Sequence, residues 1–199
     1  MTAMATGLAV MVSGCSLLGV SSVEEAPYEA LLTEGEFEIR QYAEMVQVEV
    51  MVGGDYKSAS NAGFRELFGY ISGANATDQD IAMTAPVFMS PVQDGSPDLA
   101  ENQDWEVAFV LPAELSLDAS PEPSSEIVNL VSVPAGSMAV MQFSGRMNAD
   151  LMSAKLLELQ SWMDKKGLEP ADRPLWAGYN PPWTPGFLRR NEILVPIKS

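Results

Sequence analysis

The sequence predicts one α+β domain: a duplicated unit of antiparallel strands, with two helices packed on a shared sheet or open barrel. Three observations lead there. Segments of apolar alternation recur along the chain, as half-buried strands require. Two stretches carry helical spacing and are bounded by capping residues. The order strand, strand, helix, strand, strand then occurs twice, offset by roughly 90 residues. With 199 residues and 47% apolar composition, the chain supports a single domain with a sizeable core.

The first unit opens at residues 36–42, EFEIRQY, where polar and apolar side chains alternate. It continues at 45–52, MVQVEVMV, whose β-branched residues suit a pleated surface, and the two strands are expected to pair. Gly53 and Gly54 break the pattern. Asp55 caps a helix expected to run to about Ser72, stopped by Gly73 and Asn75. On it Phe64, Leu67, Phe68 and Ile71 fall at i, i+3, i+4 and i+7, forming one apolar face. Strands follow at 81–89 and 105–111, with Pro86 marking the later half of the first as an edge or bulge. The acidic stretch 91–104 lacks the ligand alternation and turn glycine of a calcium loop and reads as a solvated hairpin loop. Residues 112–126, rich in Pro, Ser and acid, read as a second loop.

The second unit repeats the order. Strands are expected at 127–133 and 137–143, and Asn148 or Asp150 caps a helix to about Lys166, which Gly167 ends. Leu151, Ala154 or Lys155, Leu157 or Glu158, and Trp162 give a mixed face, with Leu156, Leu159 and Met163 adding to its apolar stripe. Strands at 175–179 and 192–197 close the chain.

Ahead of these units lies a separate object. Residues 3–14, AMATGLAVMVSG, are apolar but too short to span a bilayer, and small residues precede the single cysteine, Cys15. The run Val12-Ser13-Gly14-Cys15 resembles a bacterial lipobox, which implies cleavage of residues 1–14 and a lipidated Cys15. No Lys or Arg occurs before Arg40, a departure from the basic start of a signal peptide. The competing reading is a weakly apolar tail with a free thiol. On the lipobox reading, residues 15–27 form a tether and 28–199 the domain. Ser16 lacks the acidic signature of inner-membrane retention, so the expected location is the outer membrane, facing the periplasm.

Charge and residue usage exclude several functions. With 27 acidic against 11 basic residues the net charge is −16, which repels phosphate backbones, so nucleic acid is not an expected partner. The chain has no histidine, which removes Ser-His-Asp and Cys-His catalysis, His-based zinc sites and the commonest haem ligand. No P-loop, GxGxxG, HExxH, CxxC or GxSxG motif is present.

Four segments carry a family resemblance: FEIRQY at 37–42, GDYKSASNAGFRELFGYISGAN at 54–75, IAMTAPV at 81–87, and GYNPPWTPGFLRRNEILVPI at 178–197. In this order they resemble the SOUL haem-binding protein family, the last being the most particular. The resemblance implies two βαββ-like repeats making a distorted antiparallel barrel with two flanking helices, similar to gyrase-inhibitor-like effector domains. It also implies binding of haem or a related tetrapyrrole, without catalysis, on an apolar patch beside the first helix. The matching positions are Phe64, Leu67, Phe68 and Ile71, with Arg65 as a cation and Met83 extending the patch. With histidine missing, an iron ligand would come from Tyr56, Tyr70 or Met83, or from no side chain at all.

The stiff loop before the last strand has two readings. Pro181, Pro182 and Pro185 hold Trp183 and Phe187 at defined positions, either as a lid plugging one end of the barrel or as walls of a planar-ligand cleft. Asn191 and Glu192 would tie Arg189 or Arg190 down in the first; Arg189 or Arg190 would meet a ligand carboxylate in the second. Two further functional classes stay open: a generic small-ligand or protein-interaction module, and a cryptic hydrolase. The hydrolase needs a buried carboxyl with a raised pKa, for which Glu49 and Glu192 are the candidates.

Overall fold

The computed structural model describes residues 23–92, 99 and 103–198. Cys15, the apolar stretch before it and most of the acidic loop after residue 92 lie outside the described residues. The strands are β1 (Glu24–Glu25), β2 (Tyr28–Glu34), β3 (Phe37–Tyr42), β4 (Met45–Gly54), β5 (Thr84–Ala85), β6 (Val87–Pro91) and β7 (Gln103–Val110) in the first half. The second half adds β8 (Val128–Val133), β9 (Gly136–Phe143), β10 (Leu175–Gly178) and β11 (Asn191–Pro196). The helices are α1 (Tyr56–Ile71) and α2 (Ala149–Lys166).

Both helices begin and end where local chemistry places them. The Asp55 carboxylate accepts from the Ser58 backbone N–H at 2.8 Å, and Asn148 Oδ1 accepts from the Leu151 N–H at 2.9 Å. Gly167 takes the left-handed conformation, φ 68°, that a helix C-terminus favours. Lys165 and Lys166 stand in the last turn of α2, where the helix dipole favours cations.

Nine strands form one sheet in the order β2-β3-β9-β11-β10-β6-β7-β4-β8, and every neighbouring pair in it is antiparallel. Exchanging β3, β4, β6 and β7 for β8, β9, β10 and β11 maps the order from β3 to β8 onto its own reverse. The duplication therefore appears as a pseudo-twofold relation between β10 and β6. It also corrects one expectation. β3 and β4 do not pair: β3 pairs with β9, and β4 with β7 and β8, so each unit lends its first strand to the other. Alternation marks a segment as a strand and sets its buried face, but says nothing about its partner.

Two short links bend this sheet. Tyr42 joins Met45, and Val133 joins Gly136, across at most roughly 11 Å of extended chain each, yet the strands so joined stand near opposite ends of the order. The sheet must curl until its ends approach. It does not close into the expected barrel, because β2, a mostly exposed strand that alternation did not reveal, occupies the outer edge of β3. The domain also begins before Tyr28: Glu24 and Glu25 pair in parallel with Thr84 and Ala85, and Ala26 is buried. Nor does Pro86 make its neighbour an edge. β6 is an inner strand between β10 and β7, Pro86 lies ahead of it, and Pro91 is its last residue.

The larger core lies between sheet and helices, around Val48, Leu67, Trp105, Val107, Met141, Leu159 and Trp176. A smaller apolar cluster, including Tyr42, Met45, Phe88, Val140 and Leu194, fills the helix-free face toward which the sheet curls. That inner face also carries the most charged part of the interior.

Candidate functional site

On α1 the buried stripe is Ala59, Gly63, Leu67, Tyr70 and Ile71. Gly63 sets its position, since the missing side chain lets the helix settle against Val107. The predicted face therefore splits. Leu67 and Ile71 are core residues, whereas Phe64 and Phe68 remain 40% and 49% exposed on its flank. Their rings stack at 5.8 Å with 12° between planes, and Phe64 meets Phe109 edge-on at 5.3 Å. Arg65 is exposed and stands three residues before Phe68, on the same side of the helix. Met83 is half-buried against the main core. The outcome on this flank is an aromatic pair partly open to solvent beside a cation.

Both tyrosines among the candidate iron ligands are engaged within the protein. The Tyr70 hydroxyl donates to the Pro121 carbonyl at 2.9 Å, and Tyr56 donates to Met147 Sδ at 3.6 Å while its ring meets Trp105 edge-on. Burial pushes both phenols up to about 12. Among the described residues no group of three or more His, Cys, Asp or Glu could hold a metal ion. These residues fit a porphyrin held by its face and its carboxylates better than one held through its iron.

The inner face holds a network the sequence only half reveals. Glu192 on β11 is fully buried and accepts from Arg40 on β3 through both oxygens, at 2.8 and 3.1 Å. It also accepts from the Tyr179 hydroxyl at 2.8 Å and from Arg190 at 3.0 Å. Arg40 donates to the Tyr42 hydroxyl and stands 4.1 Å from the Tyr28 ring centre; Arg190 stands 3.7 Å from that of Tyr179. Burial alone would raise the Glu192 carboxyl, but the hydrogen bond and charge of Arg40, joined by Arg190 and Tyr179, hold it below the ordinary range. Glu192 is thus a locked carboxylate, contrary to the raised acid expected for a hydrolase. Arg40, Tyr42 and Tyr179 escaped the sequence reading; the available signal was an arginine at an inward position of an alternating strand.

Glu49 is the opposite case. It lines a cavity of about 190 Å³ on the inner face, with Gln47, Ser90, Glu106 and Arg173. Arg173 bonds to Glu106 at 3.2 Å, and Glu49 has no hydrogen-bond partner among the described residues. Burial, and next the Glu106 charge, raise its carboxyl above the ordinary range. A raised acid contributes full stability below its unfolded pKa of about 4.3 and loses it as pH rises through the folded value. Glu49→Gln is therefore expected to melt a few degrees higher than the parent at pH 7.5, with the gain vanishing near pH 4. Thermal unfolding at both pH values checks this, and an unchanged or lower Tm at pH 7.5 would contradict it.

The proline loop before β11 stands outward. Trp183 and Phe187 are 80% and 78% exposed, so they do not plug an end of the sheet. Neither makes a ring contact with another described aromatic residue. Arg189 donates to the carbonyls of Thr184 and Pro182 and so braces the loop itself, while Arg190 is the residue Glu192 ties down. The loop and the Phe64–Phe68 pair are separate features. Tyr56, whose neighbour Met147 also approaches Gly178 at the loop's base, lies 8 and 12 residues from the two rings, about 12 and 18 Å along the helix.

Comparison with known proteins agrees with this architecture. The sequence model described as SOUL heme-binding protein matches residues 23–196. Heme-binding protein 2 of Homo sapiens is 32% identical over 177 residues, covering 88% of this chain and 84% of the human protein. The Mus musculus protein of the same name is 30% identical over the same shares. Among solved structures, the EcmrR C-terminal domain superposes with a TM-score of 0.63 at 14% identity, over 86% of this chain and 98% of that one. A hydrolase from Listeria innocua gives 0.55 at 14% identity, over 84% and 94%. At such identity these two speak for the fold alone. The family match over the whole described domain, with relatives at 30% identity or more, places this chain in the SOUL haem-binding protein family.

Proposed function

We propose that this domain binds haem or a related tetrapyrrole on the open flank of α1 and performs no catalysis. The observation that carries the reading is the exposed Phe64–Phe68 stack beside Arg65, an aromatic surface that packing leaves uncovered. When bound there, a porphyrin would lie against the two rings and place a carboxylate near Arg65. Met83 and the buried Leu67 and Ile71 would support the patch from beneath, and Trp183, Phe187 and Arg189 would take part only if the ligand reached the loop. Haem would supply its iron chemistry; the chain's own residues hold its face and exclude water from it. Glu192, one of the two candidate acids, speaks against catalysis at its own position, since its carboxylate is occupied by two arginines and a tyrosine.

We further propose that Cys15 carries a lipid anchor, and that the domain works in a bacterial cell envelope on an outer membrane facing the periplasm. The run of small residues before Cys15 supports this reading. A second functional reading, a generic small-ligand module, draws on the inner cavity and its unpartnered Glu49.

A haemin titration followed at the Soret band tests the first proposal. We expect saturable one-to-one binding, weakened about tenfold by Phe64→Ala or Phe68→Ala and a few-fold by Arg65→Ala. All three positions are well exposed, so circular dichroism should show folding intact. A titration without saturation, or one unchanged in every variant, would remove haem from this flank.

A further inference from the structure

We infer that the proline loop is a membrane-contacting element, with Trp183, Phe187 and Leu188 seated at the boundary between headgroups and acyl chains of a lipid bilayer. The three side chains are 80%, 78% and 62% exposed, the largest exposures among the described large apolar residues. Single exposed apolar residues are ordinary; three large ones on one short loop are not. The loop presents them rigidly. Besides the Arg189 braces, the Arg190 N–H donates to Asn180 Oδ1 at 2.6 Å, Asn191 Nδ2 donates to the Gly145 carbonyl at 3.0 Å, and the Gly145 N–H donates to the Gly186 carbonyl at 2.9 Å. A prepaid shape of this kind loses little entropy on contact, and Trp favours the interface because its ring is apolar and its N–H polar.

The point where the described structure begins favours a bilayer as the occupant. Glu25, two residues after the first described residue, forms an ion pair with Arg190 at 2.9 Å, so the preceding 22 residues join the domain at the base of this loop. Those residues contain the apolar stretch 3–14 and Cys15, and the eight steps from Cys15 to Val23 can span at most about 29 Å. On the proposed lipid anchor at Cys15, on which this inference rests, the bilayer is held within that reach of the loop's base. Charge agrees: on a chain of net charge −16, Arg146 and Arg189 border the loop with no carboxylate partner among the described residues, ready to meet lipid phosphates.

The four tryptophans make the test specific. Trp105, Trp162 and Trp176 are at most 8% exposed, so changes caused by vesicles report on Trp183. The full chain is mixed, without haemin, with phosphatidylcholine vesicles whose acyl chains are either plain or brominated, and emission and co-sedimentation are read together. The expected result is a blue shift with plain vesicles and strong quenching with brominated ones. Phe187→Ser/Leu188→Ser, which keeps Trp183 as reporter, should reduce that quenching by about tenfold at equal lipid, and Trp183→Phe should abolish it. Co-sedimentation without acyl-chain quenching would mean that residues 1–22 alone attach the protein, and would overturn the inference. Quenching that is equal in the double variant would overturn it too.

Discussion

Replacing Arg40 by methionine is expected to lower the unfolding free energy by about 3 kcal/mol at neutral pH, the scale of leaving a buried carboxylate short of its partner. Glu192 has no exposed surface from which to recruit water, and Arg190 and Tyr179 remain as its donors among the described residues. Glu192→Leu should cost a similar amount, since buried Arg40 then loses its two-point contact with a carboxylate and keeps, among the described residues, Glu38 and the Tyr42 hydroxyl. The double variant Arg40→Met/Glu192→Leu should recover much of the loss, because an apolar pair on the inner face carries no desolvation penalty. Urea unfolding of the four proteins closes this cycle. Additive losses would show that the pair is not the unit we describe.

The same pair predicts a pH dependence. Glu192 has a folded-state pKa held below its unfolded value of about 4.3, so its contribution is fully present above that value and fades as pH falls through the folded one. Parent stability should drop on acidification below about pH 4, and the drop should be smaller in Arg40→Met, which has lost most of that stabilisation already. Equal acid slopes would place the acid sensitivity elsewhere.

The second large effect concerns a residue with no side chain. Gly63→Ala is expected to destabilise by about 1–3 kcal/mol, although alanine in a helix is intrinsically better than glycine by about 1 kcal/mol. A Cβ at this position would lie 2.5 Å from Val107 Cγ2 and 2.7 Å from Val107 Cβ, so α1 would have to lift from β7. Val107→Ala opens that space, and Gly63→Ala/Val107→Ala should be more stable than the sum of the single losses. Thermal and urea unfolding decide the sign; a stabilised Gly63→Ala would mean that the contact relaxes freely. Because Phe64 and Phe68 ride on the same helix, the variant should also weaken haemin binding if α1 carries the site.

The helices and strands were largely legible because they rest on local rules. Asp55, Asn148 and Gly167 sit where caps are needed, and the strands that alternate are those with one face buried. β2 was missed because it is mostly exposed and thus lacks alternation. The α1 flank was half legible. The i, i+3, i+4, i+7 pattern found Phe64 and Phe68, but assigned them to one face with Leu67 and Ile71. The small residues Ala59 and Gly63 carried the missing signal: close approach, rather than apolar character, selects the buried stripe here.

By itself the sequence determined the duplicated order, both helices with their caps, the lack of histidine chemistry and membership of a family through its terminal motif, because each depends on neighbours in the chain or on residue identity. Tertiary structure alone decided which strands pair, that the sheet curls without closing, that Glu192 is a locked carboxylate while Glu49 is a raised one, and that the aromatic loop faces outward. Those outcomes depend on residues brought together from far apart. Arg40 and Glu192 are 152 positions apart, and a charge's state is set by the partners and water around it in space rather than by its neighbours in sequence.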